Sequence, residues 1–429
     1  MAPRASVTRA REGITFTRPV AFWFGIAAVT VGVGLHLPMY LGARDMGYRL
    51  AGVPMDRPML AGMVLILAGL SATAFGLFPR LSDMSRAHIA RFRVKALDDA
   101  PIRWTHVALL LVMAAAVTID VMKPTSLAFV VPGMAEEYGL KSPNNPGGSI
   151  PVALLPLSGI TGTVIGSFLW GFLGDRIGRR SSILLAGVIF IATAICGAMP
   201  SYIWNFVMCF IMGLGAGGML PITFTLMAET IPARHRGWIM VLIGGDVAGA
   251  YIITSWLAAE FVPTFTWRFL WLIGFPTGII LIVLNRWIPE SPRFLLTRGR
   301  GQEARAVMER YGAAVEEVEE SELAVEDSVR SRFGQLLRQP FLGPTAVVVP
   351  LGLGVGFVSL GFRRWIPSNL QAMGLSQVTA DRILRDSALI GFPLELRGGL
   401  RLRVLEQQED DHRPGQPDRS GDVRLRGRR

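Results

Sequence analysis

The sequence predicts an all-α fold, a polytopic bundle of transmembrane helices, and three observations carry that prediction. First, aliphatic, aromatic, Met and Cys residues make up 51% of the 429 residues and charged residues only 17%, against about 25% charge in soluble domains. Second, the charges gather in short clusters between long uncharged stretches, as happens when only segment ends meet water. Third, those stretches have the length needed to cross a hydrocarbon core about 30 Å thick, about 20 residues each. Nine stretches qualify: 19–41, 58–78, 104–131, 152–173, 182–199, 202–227, 238–261, 267–288 and 341–360.

The connecting segments orient these spans. The N-terminal tail and segments 80–103, 176–180, 234–236 and 286–305 are Arg-rich, whereas 134–150 has one Lys against two Glu and 200–201 has no charge. Basic loops therefore alternate, which places the N-terminus and those loops in the cytoplasm of a multi-pass protein of the cell membrane. Arg4, Arg9, Arg11 and Arg18 precede the first span; it is too long for a signal-peptide core and reads as an uncleaved anchor. The net charge of +11 has the same juxtamembrane origin, and without any aromatic-basic platform it gives no nucleic-acid reading. Cys196 and Cys209 both fall inside apolar stretches, so neither a disulfide framework nor a metal site is expected.

Between 289 and 340 lies the one long polar insert, with a short amphipathic helix at 302–311 before an acidic run at 316–322. It reads as a spacer between two bundles. The segment is too small for a nucleotide-hydrolysing domain, and no metalloprotease, nucleophile-elbow or phosphate-loop pattern occurs in a suitable context. The sequence therefore predicts no enzyme and no cofactor. Gly213 to Gly218 (GLGAGG) does match a dinucleotide pattern. Because it lies within a span, it is read as close helix packing.

The most informative segment is Gly171 to Arg180, GFLGDRIGRR. Gly171 and Gly174 would let a neighbouring helix approach, and Gly178 permits a tight reversal. Asp175 has a helix N-terminus or an Arg to meet, and Arg176, Arg179 and Arg180 hold the loop in the cytoplasm. From composition alone, a plain charged hairpin turn reads equally well. The segment resembles the signature loop between the second and third helices of the major facilitator superfamily. ETIPARHRG, with Glu229, Arg236 and Gly237, resembles the loop between its helices four and five. PESPRFLL, with Glu290 and Arg293, resembles the end of helix six in sugar porters and related proton symporters, and WIPSNLQAMGL (365–375) the end of helix seven in aromatic-acid symporters.

The resemblance covers about 104–394. It implies a six-helix N-terminal bundle at 104–288, a central loop at 289–340 and the start of a C-terminal bundle at 341–394. Residues 1–103 add a tail and two extra spans. From Glu395 onward the chain has nine Arg and no Phe, Trp, Tyr, Ile, Met or Ala, so it is expected to be a disordered or frame-shifted tail that leaves the C-terminal bundle incomplete. The resemblance further implies a proton-coupled symporter of a small organic acid or sugar, with the alternative of a membrane-inserted fragment that does not transport. Its partners would be a small-molecule substrate, protons and lipid.

Charges inside spans mark the expected cavity, since each costs about 2.5–3.5 kcal/mol at a helix centre. Asp120 and Lys123 share one face of family helix one, and the resemblance makes Asp120 the proton carrier. Lys123 stands where aromatic-acid symporters often have a second acid, and Cys209 where helix four often has Arg. Lys123 is thus expected to supply the cavity's positive charge, or to pair with Asp120. Asp246 is a second candidate cavity acid. Glu260 and Arg268, near span ends, are read as structural groups reaching the interface.

Overall fold

The computed structural model describes residues 17–78, 97–98, 100–143, 145–313 and 333–412; among these, the side chains of 333, 359–360, 394–396, 398–400 and 402–412 are not described. The N-terminal tail, most of the 80–103 loop and the acidic run at 316–322 lie outside the described residues.

Among the described residues, eight helices are long and apolar enough to cross a membrane. The chain opens with α1 (Pro19–Gly34), short α2 (Leu37–Gly42) and α3 (Arg57–Leu77). There follow α4 (Trp104–Glu137), α5 (Leu154–Ile177), α6 (Arg179–Ala192), which runs on as a 3-10 turn to Ala198, α7 (Tyr202–Thr230) and α8 (Ala233–Phe265). Short α9 (Arg268–Leu272) and α10 (Gly274–Leu284) together make the eighth span. Then come α11 (Pro292–Thr297), α12 (Gly301–Arg310), α13 (Leu342–Gly356), α14 (Ile366–Ala372) and α15 (Gln377–His412).

One expectation needs correction. The ninth stretch, 341–360, is not one continuous α-helix: α13 ends at Gly356 and the chain widens into a π-turn over Phe357–Phe362. Pro350 and the glycines at 352, 354 and 356 account for this, since Pro removes a helical hydrogen bond and Gly weakens helix propensity. The last described helix runs through Glu395 to His412, and the rest of the tail lies outside the described residues.

Glycines dictate the closest helix contacts. A side chain at Gly162 would strike the Phe210 carbonyl, and one at Gly213 the Gly159 carbonyl, so α5 and α7 touch backbone to backbone. The GLGAGG run is thus a packing surface, as its place within a span predicts, and Gly218 seats Trp170, whose Nε1 donates to the Leu214 carbonyl at 2.6 Å. In the first hairpin, Gly25 and Gly32 of α1 meet Gly69 and Gly62 of α3 at seven-residue spacing. That repeat keeps small residues on one seam. The hairpin lies against α6, which is almost wholly enclosed, so the two added spans cover a helix face that would otherwise meet lipid.

Candidate functional site

Three polar constellations stand at different depths of the bundle. At the Arg-rich end, Gly178 adopts φ +97°, a conformation that reverses the chain between α5 and α6. Glu290 then reaches under the first turn of α6, where its Oε1 accepts from the Arg179 N–H at 2.8 Å, the Arg180 N–H at 3.3 Å and its neighbour Ser291 N–H at 3.0 Å. A carboxylate at a helix N-terminus satisfies otherwise unpaired donors and the positive end of the helix dipole. Burial pushes the Glu290 carboxyl up, while these backbone N–H groups pull it down.

The signature residues form one web around that cap. Arg179 pairs with Asp175 at 2.8 Å, donates to the Gly174 carbonyl at 2.7 Å and reaches Glu229 at 3.5 Å. Arg180 binds the Asn285 and Arg286 carbonyls, Arg176 lies over the Phe172 ring at 4.0 Å, and Arg236 pairs with Asp98 at 2.5 Å. Gly237 and Arg293 sit exposed on the first turns of α8 and α11. The close approach expected at Gly171 and Gly174 is not found among the described residues: nothing lies within 4 Å of a side chain built at Gly171, and only Ile222, at 3.9 Å, at Gly174. Replacing Gly178 with Ala should destabilise the protein by about 1–3 kcal/mol through the backbone alone, because φ +97° with ψ 158° is a region that only glycine adopts without strain. The new methyl would also strike the Glu290 carboxylate, so thermal unfolding should show a loss at the upper end of that range.

Midway along α4, Asp120 is buried and lines a cavity of about 240 Å³. Its other walls are mostly apolar, from α5, α7 and α8, and include Ile160, Ala216, Leu220, Val247 and Tyr251. Arg363 and Arg364, from the turn before α14, complete the lining. Arg364 donates to the Pro124 carbonyl at 3.3 Å, and Arg363 lies 5.4 Å from the centre of the Tyr251 ring.

Lys123 is not part of this chamber. Its Nζ turns to the other side of α4, donating to the Phe190 carbonyl at 2.5 Å and to Thr193 Oγ1 at 2.6 Å. Its hydrogen bonds go to α6 rather than to Asp120, although the two charges lie within electrostatic reach of each other. A residue three positions away shares a helix face only broadly, and the long Lys stem lets carbonyl partners on α6 decide its direction. The chamber's cations are instead the two arginines, which sequence reasoning missed although they adjoin the 365–375 motif. Asp246 accepts from Thr118 Oγ1 at 2.8 and 2.9 Å, tying α8 to α4, and Cys209 is buried with its thiol 3.4 Å from the Leu155 carbonyl. Neither lines the chamber.

At the opposite end, Arg268 is fully buried rather than reaching the interface. It pairs with Glu137 at 2.6 Å and also donates to the carbonyls of Gly197 and Met199 and to the Tyr138 hydroxyl. Glu137 accepts further from Trp267 Nε1 at 2.9 Å and from the backbone N–H groups of Leu50 and Ala51 at 2.7 and 3.0 Å. The turn of the added hairpin is thereby bolted to the bundle. Glu260 is exposed, as expected.

Known proteins resemble this chain in the same terms. A niacin transporter of Acinetobacter baylyi is 28% identical over 291 residues, covering 66% of this chain and 64% of its own length. A 4-hydroxybenzoate transporter of the same organism is 26% identical, with 65% and 62% covered, and an inositol transporter of Arabidopsis thaliana is 34% identical, with 46% and 35% covered. The chain thus spans about a third to two thirds of the length of these relatives. Its fold resembles that of a solved proton:xylose symporter, with TM-score 0.54, 18% identity and 69% of each chain covered. The family model described as "Sugar (and other) transporter" matches residues 129–357, more than half of the 429 residues, and the chain therefore belongs to that family of major facilitator transporters and is not an enzyme.

Proposed function

We propose that this protein takes part in proton-coupled symport of a small organic acid by alternating access. The observation that carries the reading is the placement of buried Asp120 in one mostly apolar chamber with Arg363 and Arg364. The arginines supply the charge complement for a carboxylate, and the apolar walls suit a ring or short hydrocarbon body. A buried carboxylate needs an opposite charge to compensate it, and when a substrate carboxylate takes the arginines Asp120 loses that compensation and takes up a proton. Asp120 is thus the proton carrier, releasing its proton when the chamber opens to water at the Arg-rich, cytoplasmic end.

In this reading the added hairpin (1–103), the bundle at 104–288, the loop at 289–340 and the segment from 341 are separate functional parts. The web of Asp175, Arg179, Glu229 and Glu290 acts as the latch that opens and re-forms on that side. The niacin and 4-hydroxybenzoate relatives support an aromatic monocarboxylate as substrate, while the polar atoms of a sugar would find few partners on the chamber's apolar walls.

The test is binding by the purified chain in weakly buffered detergent, with nicotinate and 4-hydroxybenzoate as ligands. Ligand binding should be accompanied by uptake of a proton, seen as a pH rise, and Asp120→Asn should bind without it. Binding with unchanged proton uptake in Asp120→Asn, or no binding of either acid, would sink the proposal.

A further inference from the structure

Pro124 and Pro132 both lie inside α4. A proline has no N–H, so the carbonyl four residues earlier loses its donor in the helical ladder, and the ring presses against that carbonyl as well. For Pro124 the group left over is the backbone carbonyl of Asp120. Asp120 and Pro124 stand one turn apart on the same face of α4, and both line the chamber. The carbonyl between them therefore opens onto the chamber wall. Pro132 does the same to the carbonyl of Ala128, but Pro132 itself is not on that wall.

The donor side chains around it are engaged elsewhere. A hydroxyl on a helix reaches back three or four residues, so only positions 123 and 124 could serve this carbonyl from within α4, and they are Lys and Pro. Lys123 donates to α6, Thr118 to Asp246, and Thr163 to the Gly159 carbonyl at 2.9 Å. Arg364 is bound to the Pro124 carbonyl, one helical turn further on, or about 6 Å along the axis. That separation matches the length of a benzene ring with substituents at its two ends. An acid held by its carboxylate at Arg364 thus brings a group on the far side of its ring to the Asp120 carbonyl. An acceptor left unpaired in a closed chamber costs free energy, and a donor on the ligand relieves that cost.

We propose that Pro124 makes the Asp120 backbone carbonyl a specificity-determining acceptor, which selects ring carboxylic acids that carry a hydroxyl or N–H donor opposite the carboxylate. This role is separate from that of the Asp120 side chain, which binds the proton. The inference rests on the chamber being the acid-binding site, and it adds which acid the chamber prefers.

The test is calorimetric binding of 4-hydroxybenzoate and 4-fluorobenzoate by the full chain in detergent. The two acids share ring and carboxylate, and only the first carries a donor. The parent should bind 4-hydroxybenzoate about threefold to tenfold more tightly, the range of one neutral hydrogen bond. Pro124→Ala returns an N–H that takes the carbonyl back into the helical ladder, so the preference should fall to about twofold or less. Pro124→Ser supplies the same N–H with a different side chain and should lose the preference in the same way. Equal affinities in the parent would overturn the inference. So would a preference that survives both substitutions, since the donor would then be meeting the Asp120 carboxylate or another group. Loss of binding of both acids in each variant would also overturn it, because the proline would then act through helix shape. Binding of neither acid by the parent would remove the proposed function itself, and the inference with it.

Discussion

Arg268→Met should destabilise the protein by about 3–5 kcal/mol, the cost of leaving one member of a buried ion pair without the other. Glu137, with 5% of its side chain exposed, would keep three donors, from Leu50, Ala51 and Trp267, but lose the neutralising charge. Three other acceptor atoms also depend on the guanidinium, since Arg268 serves the carbonyls of Gly197 and Met199 and the hydroxyl of Tyr138. Thermal unfolding in detergent should show this loss. The double variant Glu137→Gln/Arg268→Met should recover part of it, because a carboxamide buried without a counterion carries no charge penalty. A single variant that unfolds within about 0.5 kcal/mol of the parent would mean that the pair is not what holds this end together.

The pair also explains why the added hairpin is an integral part of the bundle. The turn between α2 and α3 supplies two of the hydrogen bonds to Glu137, and Arg49 pairs with Glu136 at 2.6 Å beside them. Glu137→Gln alone should therefore loosen the hairpin as well as α4, and hydrogen exchange at the Leu50 and Ala51 amides should rise in that variant.

These features were unequally legible in the sequence. The order of the first eight spans followed from the distribution of charge, because the bilayer enforces length and apolarity on each helix, whereas the ninth stretch is not among the eight described helices long enough to cross a membrane. Packing at Gly213 to Gly218 could be inferred as well, since small residues within a span have few other uses. Side-chain direction could not. Lys123 and Asp120 look like partners at three-residue spacing, yet carbonyl acceptors on α6 take Lys123 away, and nothing local in α4 specifies them. Arg268 looked like a span-end residue because its partner Glu137 is 131 positions away. Arg363 and Arg364 were passed over for a similar reason: in sequence they read as the charged boundary of a span, and only the close placement of that turn against Pro124 and Tyr251 turns them inward.

Those two arginines carry the second large effect. If they hold the substrate's carboxylate, Arg363→Gln should weaken binding of 4-hydroxybenzoate or nicotinate by about tenfold to a hundredfold, the equivalent of a charge-assisted hydrogen bond worth about 1.5–3 kcal/mol. Arg363→Lys should restore only part of it, because a point charge on a flexible stem does not reproduce the planar two-donor fork. The neutral amide of the same acid provides the internal control: its affinity should change little in Arg363→Gln, whereas a general collapse of the chamber would weaken both ligands alike. Arg364 is expected to behave differently. Its bond to the Pro124 carbonyl places it against the α4 backbone beside Asp120, so Arg364→Gln should lower thermal stability as well as affinity. The ratio of acid to amide affinity, measured by calorimetry for each variant, separates recognition from packing, and an unchanged ratio in both would mean that neither arginine reads the carboxylate.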